Sequence, residues 1–177
     1  MPEWNAETAQ WYADHYGEYA TNELAVLALS LPTNGTIIDI GCGTGCALRH
    51  AAKQVTSGKL IGVDPVPRMV EIAKVQSAGT PIHFLVGKAE QVPLKSGIAD
   101  FVFAFDSFDH WSSPNEGLQE VARLLKSAGK LVVVKDAGVP GTFSLAEFLE
   151  KSSLKRVQVQ QIQKAGVEFT LTVCSPE

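Results

Sequence analysis

The chain has 177 residues, 45% of them hydrophobic and 19% charged, a balance suited to a folded core and unlike that of a disordered or fibrous chain. Its formal charge is −4, and the densest basic cluster is only Lys151, Lys155 and Arg156. Without a concentrated cationic stripe to displace counterions, nucleic acid is not the expected partner.

Two helical segments are expected first, over 6–19 and 22–31, ended by Pro32 and Asn34-Gly35. An apolar strand follows over 36–40, then a glycine loop and a helix over 45–55. A second strand, 59–63, ends at Asp64. The helix expected over 67–76 carries an apolar stripe of Met69, Val70, Ile72 and Ala73. Strands are expected over 82–86 and 100–105. Ser113-Pro114-Asn115-Glu116 then predicts a helix start, with Ser113 as cap, Pro114 in the first turn and Glu116 completing a capping box. That helix should run to 126, with Gly129 supplying a tight exit into a strand over 130–135. Ser144-Leu145-Ala146-Glu147 is a second capping-box candidate, opening a helix to 152. The tail alternates with period two over 155–163 and 166–174, predicting an antiparallel hairpin around Lys164-Ala165-Gly166. Strand-length runs alternating with helices imply an α/β fold, a doubly wound and mostly parallel sheet with helices on both faces.

Three cysteines, Cys42, Cys46 and Cys174, cannot all pair, and none has zinc-site spacing. Free thiols in a reducing compartment are expected, and no metal. Met1-Pro2-Glu3-Trp4 lacks a signal-peptide pattern, and no apolar run could cross a bilayer. A soluble cytoplasmic protein without a membrane partner is the expectation.

The strongest chemical signal is Ile37-Ile38-Asp39-Ile40-Gly41-Cys42-Gly43-Thr44-Gly45. Glycines at every second position after a buried strand let a ligand lie against the backbone, at the strand end where open α/β sheets bind ligands. Asp39 is an acid placed to meet an ammonium or the loop's own N–H groups. Asp64, nineteen residues past Gly45, is placed for the two hydroxyls of a ribose. A dinucleotide fingerprint has Gly-x-Gly-x-x-Gly/Ala, whereas here the third glycine is one position early and Cys46 follows it. The spacing favours a nucleoside ligand without a pyrophosphate over a nicotinamide dinucleotide.

The segments IIDIGCGTG, LIGVDPVPRMVEIAK, FLVGKAEQVPL, ADFVFAFDSFDHW and EVARLLKSAGKLVVVKD resemble, in order and spacing, the class I S-adenosylmethionine-dependent methyltransferases, and most closely their small "type 11" group. The resemblance covers about 35–136. It implies a Rossmann-like seven-stranded sheet closed by the C-terminal hairpin. A single domain is expected over 1–177, with a helical lid over 1–31, a cofactor-binding core over 35–136 and a closing helix and hairpin over 137–177. S-adenosylmethionine would be the cofactor and S-adenosylhomocysteine its product.

The resemblance further implies that Gly41, Cys42, Gly43 and Gly45 line the methionine part of the cofactor and that Asp39 helps hold its amino group. Asp64 would bind the ribose, Pro65 and Val66 would lie against the adenine, Ala89 and Glu90 would meet its edge, and Phe105 and Asp106 would face the transferable methyl. Relatives often carry an acid where this chain has Lys88, so Glu90 takes that contact or the adenine amine meets solvent. Neither an Asn-Pro-Pro-Tyr sequence nor a Pro-Cys nucleophile is present, which weighs against base and glutamine methylation.

A base is needed only if the acceptor must lose a proton. His110 is the first candidate, with Asp106 and Asp109 behind it, and Asp109 is better explained as a solvated loop acid. For His110 the competing reading is a packing or capping residue before Ser113. Tyr12 and Tyr16 share one helical face, and Trp11, His15 and Tyr19 another. With His110 and Trp111, Tyr12 and Tyr16 would form the acceptor pocket. A small molecule is the expected acceptor. A protein or RNA acceptor, or a non-catalytic cofactor-binding module, are the alternatives. The acceptor atom and the oligomeric state stay open.

Overall fold

The structure, a computed structural model, describes residues 4–16, 18–139 and 144–177. Expectations that touch 1–3, 17 or 140–143, including the extreme end of the lid and part of the loop before Ser144, lie outside the described residues.

The elements in chain order are α1 (Ala6–Tyr16), α2 (Ala20–Leu27), β1 (Thr36–Ile40), α3 (Cys46–Ala51), β2 (Lys59–Asp64), α4 (Pro67–Gln76), β3 (Ile82–Val86), β4 (Ala99–Phe105), α5 (Pro114–Leu124), β5 (Leu125–Asp136), α6 (Leu145–Leu149), β6 (Leu154–Lys164) and β7 (Val167–Pro176). The seven strands form one sheet in the order β3-β2-β1-β4-β5-β7-β6. β1 to β5 pair in parallel, and β7 is antiparallel to both β5 and β6. Strand order reverses between β1 and β4, the switch point where such sheets open a crevice.

Period-two alternation along the strands separates two cores. On β4, Phe101, Phe103 and Phe105 face the side covered by α2, α3 and α4, while Val102 and Ala104 face α5 and α6. The rings of Phe103 and Phe105 stack at 4.7 Å. The small residues on the other side leave room for Leu118, Val121 and Leu124, the apolar stripe of α5. At the hairpin, Ala165 and Gly166 have φ of 53° and 80°, the pair of left-handed residues that matches the twist of a two-residue turn. Exposed Lys and Gln side chains along β6 guard that sheet edge.

Several expected boundaries shift. α1 stops at Tyr16, so Tyr19 belongs not to α1 but to the start of α2. The helix of Ser113 begins where expected, yet no capping box forms. The Ser113 N–H that Glu116 would have accepted is donated instead to Glu90 Oε1 at 2.8 Å. Ser144 likewise makes no side-chain cap. α5 ends at Leu124 rather than 126, and β5 starts at once because Leu125 pairs with Ala99. Gly129 therefore lies inside β5, where an added Cβ would stand 2.7 Å from the Ala99 carbonyl oxygen.

The end of β5 is tied to α2 through two buried groups. Thr21 Oγ1 donates to Asp136 Oδ2, and the Gly138 N–H donates to Asp136 Oδ1 at 2.7 Å. Thr21 and Asp136 are 0% and 5% exposed, so water cannot replace a lost donor. Thr21→Val keeps the shape and removes the donor. It should destabilise the fold by about 1–3 kcal/mol in urea unfolding, with a smaller effect in an Asp136→Asn background. Equal losses in both backgrounds would locate the effect in packing.

Candidate functional site

A cavity of about 470 Å³ opens at the carboxyl ends of β1, β2 and β4, within the size range of small-molecule sites. The β1–α3 loop forms its floor, and its three glycines hold left-handed φ values of 73° at Gly41, 52° at Gly43 and 80° at Gly45. They serve different ends. A Cβ on Gly41 would strike Ser107 Cβ at 2.4 Å, and one on Gly45 would strike the Phe84 ring at 2.7 Å. At Gly43 the nearest atom is a Tyr12 ring carbon at 3.9 Å. Gly41 and Gly43 border the cavity, whereas Gly45 packs against the Phe84 ring and does not line it. Cys42, too, is buried away from the cavity wall.

Asp64 closes β2 on the cavity wall. The Gly43 N–H donates to its Oδ2 at 3.0 Å and the Val66 N–H to its Oδ1 at 2.9 Å. Burial raises its pKa, opposed by these two donors. Pro65, Val66, Ala89 and Glu90 continue the same wall. Glu90 holds the start of α5 through the Ser113 N–H, so one of its oxygens is already engaged.

Asp39 does not reach the wall. It is 2% exposed, and its Oδ1 has no hydrogen-bond partner. Burial, with the charge of Asp64 added, pushes its pKa up to about 8.

At the end of β4, Asp106 adopts a φ of 49°, a left-handed conformation costly for a residue with a side chain. The Asp136 N–H donates to Asp106 Oδ1 at 2.7 Å, while the buried Oδ2 has no partner. Burial raises its pKa to about 6, with the Asp136 N–H opposing. Phe105, Asp106, His110 and Trp111 all border the cavity. Burial lowers the pKa of His110, against the charge of Asp109. The indole N–H of Trp111 is buried without a partner. Asp109 is no solvated loop acid: it is 6% exposed, pairs with Lys135, and stands outside the wall.

Opposite the loop stands α1, seated on α4 through Ala9, Val66 and Met69. Tyr12 and Tyr16 border the cavity. Burial, with the charge of Asp106, raises Tyr12 to about 12, so it stays a neutral donor. Trp4, Trp11 and Tyr19 join them, with Trp4 meeting His110 edge-on at 5.8 Å. Sequence reasoning missed Ser107, Met69 and Val139 in the wall. Ser107, directly after Asp106, was within reach of the strand-end argument; Met69 read only as part of a core stripe.

A family model described as a methyltransferase domain matches residues 38–133. The chain belongs to the methyltransferase family. An uncharacterized methyltransferase of Mycobacterium tuberculosis is 32% identical over 99 residues, covering 55% of this methyltransferase chain and 38% of that protein. The chloroplastic 2-methyl-6-phytyl-1,4-hydroquinone methyltransferase of Spinacia oleracea is 27% identical over 137 residues, 75% of this chain and 39% of its own. The chain thus spans well under half the length of these curated relatives. A SAM-dependent methyltransferase structure from Aquifex aeolicus superposes with a TM-score of 0.81 at 20% identity, covering 99% of this chain and 100% of that one. At that identity the likeness shows the methyltransferase fold. No described helix is long and apolar enough to cross a membrane.

Asp39 gives the site a pH signature. The folded chain keeps a proton up to about pH 8, whereas an unfolded aspartate loses it near pH 4. The folded state therefore binds more protons between those values, and stability falls as pH rises through that window. Thermal melting of the ligand-free chain should decline from about pH 5 to about pH 8, and Asp39→Asn should decline less. Identical slopes would assign the dependence to other groups.

Proposed function

We propose that the chain transfers a methyl group from S-adenosylmethionine to a small-molecule acceptor. The observation that carries this reading is Asp64, a buried acid at the end of β2 facing a loop whose central glycine leaves open space. The two backbone N–H groups it accepts occupy one lone pair on each oxygen, which leaves capacity for a pair of vicinal hydroxyls. The cavity fits the rest of the cofactor: Gly43 leaves space for a chain along the backbone, and Pro65 and Val66 offer an apolar wall for a flat base. Asp39, buried with an unpaired oxygen beneath that loop, would lie behind the cofactor's amino group rather than touch it, and would lose its proton as the ammonium arrives. Cys42 and Gly45 would shape the loop from behind.

The cofactor supplies an electrophilic methyl on a sulfonium; the chain supplies alignment, exclusion of water and, where the acceptor carries a proton, a base. Asp106 is the better-placed base. Its Oδ2 has no partner, and the residue borders the cavity. His110, neutral beside the Trp4 ring, is the second candidate. The α1 aromatics form a lid that closes over the bound acceptor. Tyr12, Tyr16 and Trp111 suit a small acceptor with an apolar, flat surface. The spinach relative, whose name gives it a hydroquinone acceptor, supports this class. Buried free cysteines suit a reducing, cytoplasmic setting.

Calorimetric titration with S-adenosylhomocysteine tests the assignment. Asp64→Ala should weaken binding by about 1.5–3 kcal/mol, roughly tenfold to 150-fold. Unchanged affinity in a folded variant would remove the ribose assignment, and no binding by the wild-type chain would remove the proposed function.

With an acceptor that must be deprotonated, kcat/KM should rise with pH through about 6 as Asp106 ionises. Asp106→Asn should erase that limb and lower the plateau by about a hundredfold or more. A limb that survives Asp106→Asn but disappears in His110→Gln would move the base to the imidazole.

A further inference from the structure

Beside the cavity, three side chains of metal-binding chemistry meet, two of them on one helix and the third remote in sequence. Cys46 and His50 lie four residues apart, on one face of α3. Glu18 comes from the link between α1 and α2. One ligand atom from each lies within 4.8 Å of the other two. Cys46 Sγ is 3.6 Å from Glu18 Oε2. A zinc-class ion with bonds of about 2.0–2.3 Å would hold such atoms about 3.5 Å apart, so the Cys46–Glu18 pair already stands at that spacing and His50 lies within reach of it.

We propose that Glu18, Cys46 and His50 bind a zinc-class divalent cation that fastens the α1–α2 link to α3. A thiolate, an imidazole and a carboxylate form a donor set suited to zinc, with a fourth position left for water. The surrounding groups complete the design. Arg49 pairs with Glu18 through Oε1, leaving Oε2 on the Cys46 side. Glu23 stands 3.6 Å from His50 Nδ1, where a carboxylate can fix the orientation of a ligating ring. Lys53 lies 3.3 Å from His50 Nδ1 and shares Glu23, so its charge is shared with that acid as the ion enters. The Cys46 thiol is buried, whereas Glu18 is exposed, giving the ion a route in from solvent. Binding replaces the thiol proton, which leaves to solvent, with a sulfur–metal bond, and nothing is oxidised or reduced. The thiolate and the Glu18 carboxylate then balance the dication.

The placement has a mechanical consequence. Glu18 sits between Tyr16 and Tyr19, and both of these border the cavity. An ion joining Glu18 to α3 would hold those rings over the β1–α3 loop and limit opening of the lid. The metal site itself does not depend on the proposed methyl transfer, and neither readout below involves the cofactor.

The test uses the full chain stripped of metal and titrated with Co²⁺, then Zn²⁺. One equivalent of Co²⁺ should produce a thiolate-to-cobalt charge-transfer absorption that Zn²⁺ displaces. Cys46→Ser should abolish it, and His50→Gln and Glu18→Gln should each weaken binding by roughly tenfold or more. Zn²⁺ should also slow proteolysis around the α1–α2 link severalfold in the wild-type chain and not in the variants. Absence of the absorption at stoichiometric Co²⁺, or its survival in Cys46→Ser, would overturn the proposal. Should Cys46→Ser fail to fold, unchanged affinity in both His50→Gln and Glu18→Gln would overturn it equally. Metal uptake without the change in proteolysis would overturn the fastening.

Discussion

The carboxyl of Asp64 joins the two turns on which the cavity is built. β1 and β2 run side by side in parallel, with Ile40 opposite Val63, so an acid one residue beyond that pair lies level with the loop leaving β1. Its oxygens accept from Gly43 on that loop and from Val66 at the start of α4. The Gly41 and Cys42 N–H groups meanwhile donate to the Val63 carbonyl, at 2.8 and 3.1 Å. The glycine loop is thus held over the end of β2 by a short set of backbone donors. Gly43 keeps its side-chain direction open because the loop is drawn down onto Asp64 rather than up into the cavity. On the proposed function, structure and ligand contact would therefore meet in one residue, and replacing it would disturb both.

What the sequence made legible follows from how local each cause is. α4 was readable in full, because Pro67 opens it and Met69, Val70, Ile72 and Ala73 declare its buried face. β3 and the hairpin were legible for the same reason. The end of α5 was not, since it is decided by Leu125 pairing with Ala99 across the sheet. The capping box at Ser113 failed through a competitor from another loop, Glu90, which no reading of 113–116 could supply. In the site, the glycine spacing located the cavity, but the reasons for each glycine lie far along the chain, in Ser107 for Gly41 and in Phe84 for Gly45. Asp109 was misjudged because its partner, Lys135, belongs to a different strand. The grouping of Glu18 with Cys46 and His50 likewise arises only when α2 packs against α3.

The charges around the cavity bear on the ligand independently of loop shape. Asp39, Asp64 and Asp106 gather near its floor, and burial raises the pKa of all three. Among the described ion pairs none joins any of them to a Lys or Arg. Buried acids without a paired cation weaken a fold, because each must either carry its charge out of water or hold a proton above its usual pKa. Such an arrangement suits a ligand that brings positive charge of its own. S-adenosylmethionine carries two cationic centres, a sulfonium and an ammonium, and the nearby aromatic faces favour cations further. A nicotinamide dinucleotide would instead bring a pyrophosphate into a field of carboxylates, at a loop whose third glycine sits one residue too early to receive it. Loop geometry and electrostatics thus discriminate in the same direction for unrelated physical reasons. On the proposed function a lid would belong to the same logic: closing Tyr12 and its neighbours over the cavity would lower the local dielectric, which would strengthen each carboxylate's hold on a cation once one is present and raise the cost of closing while none is.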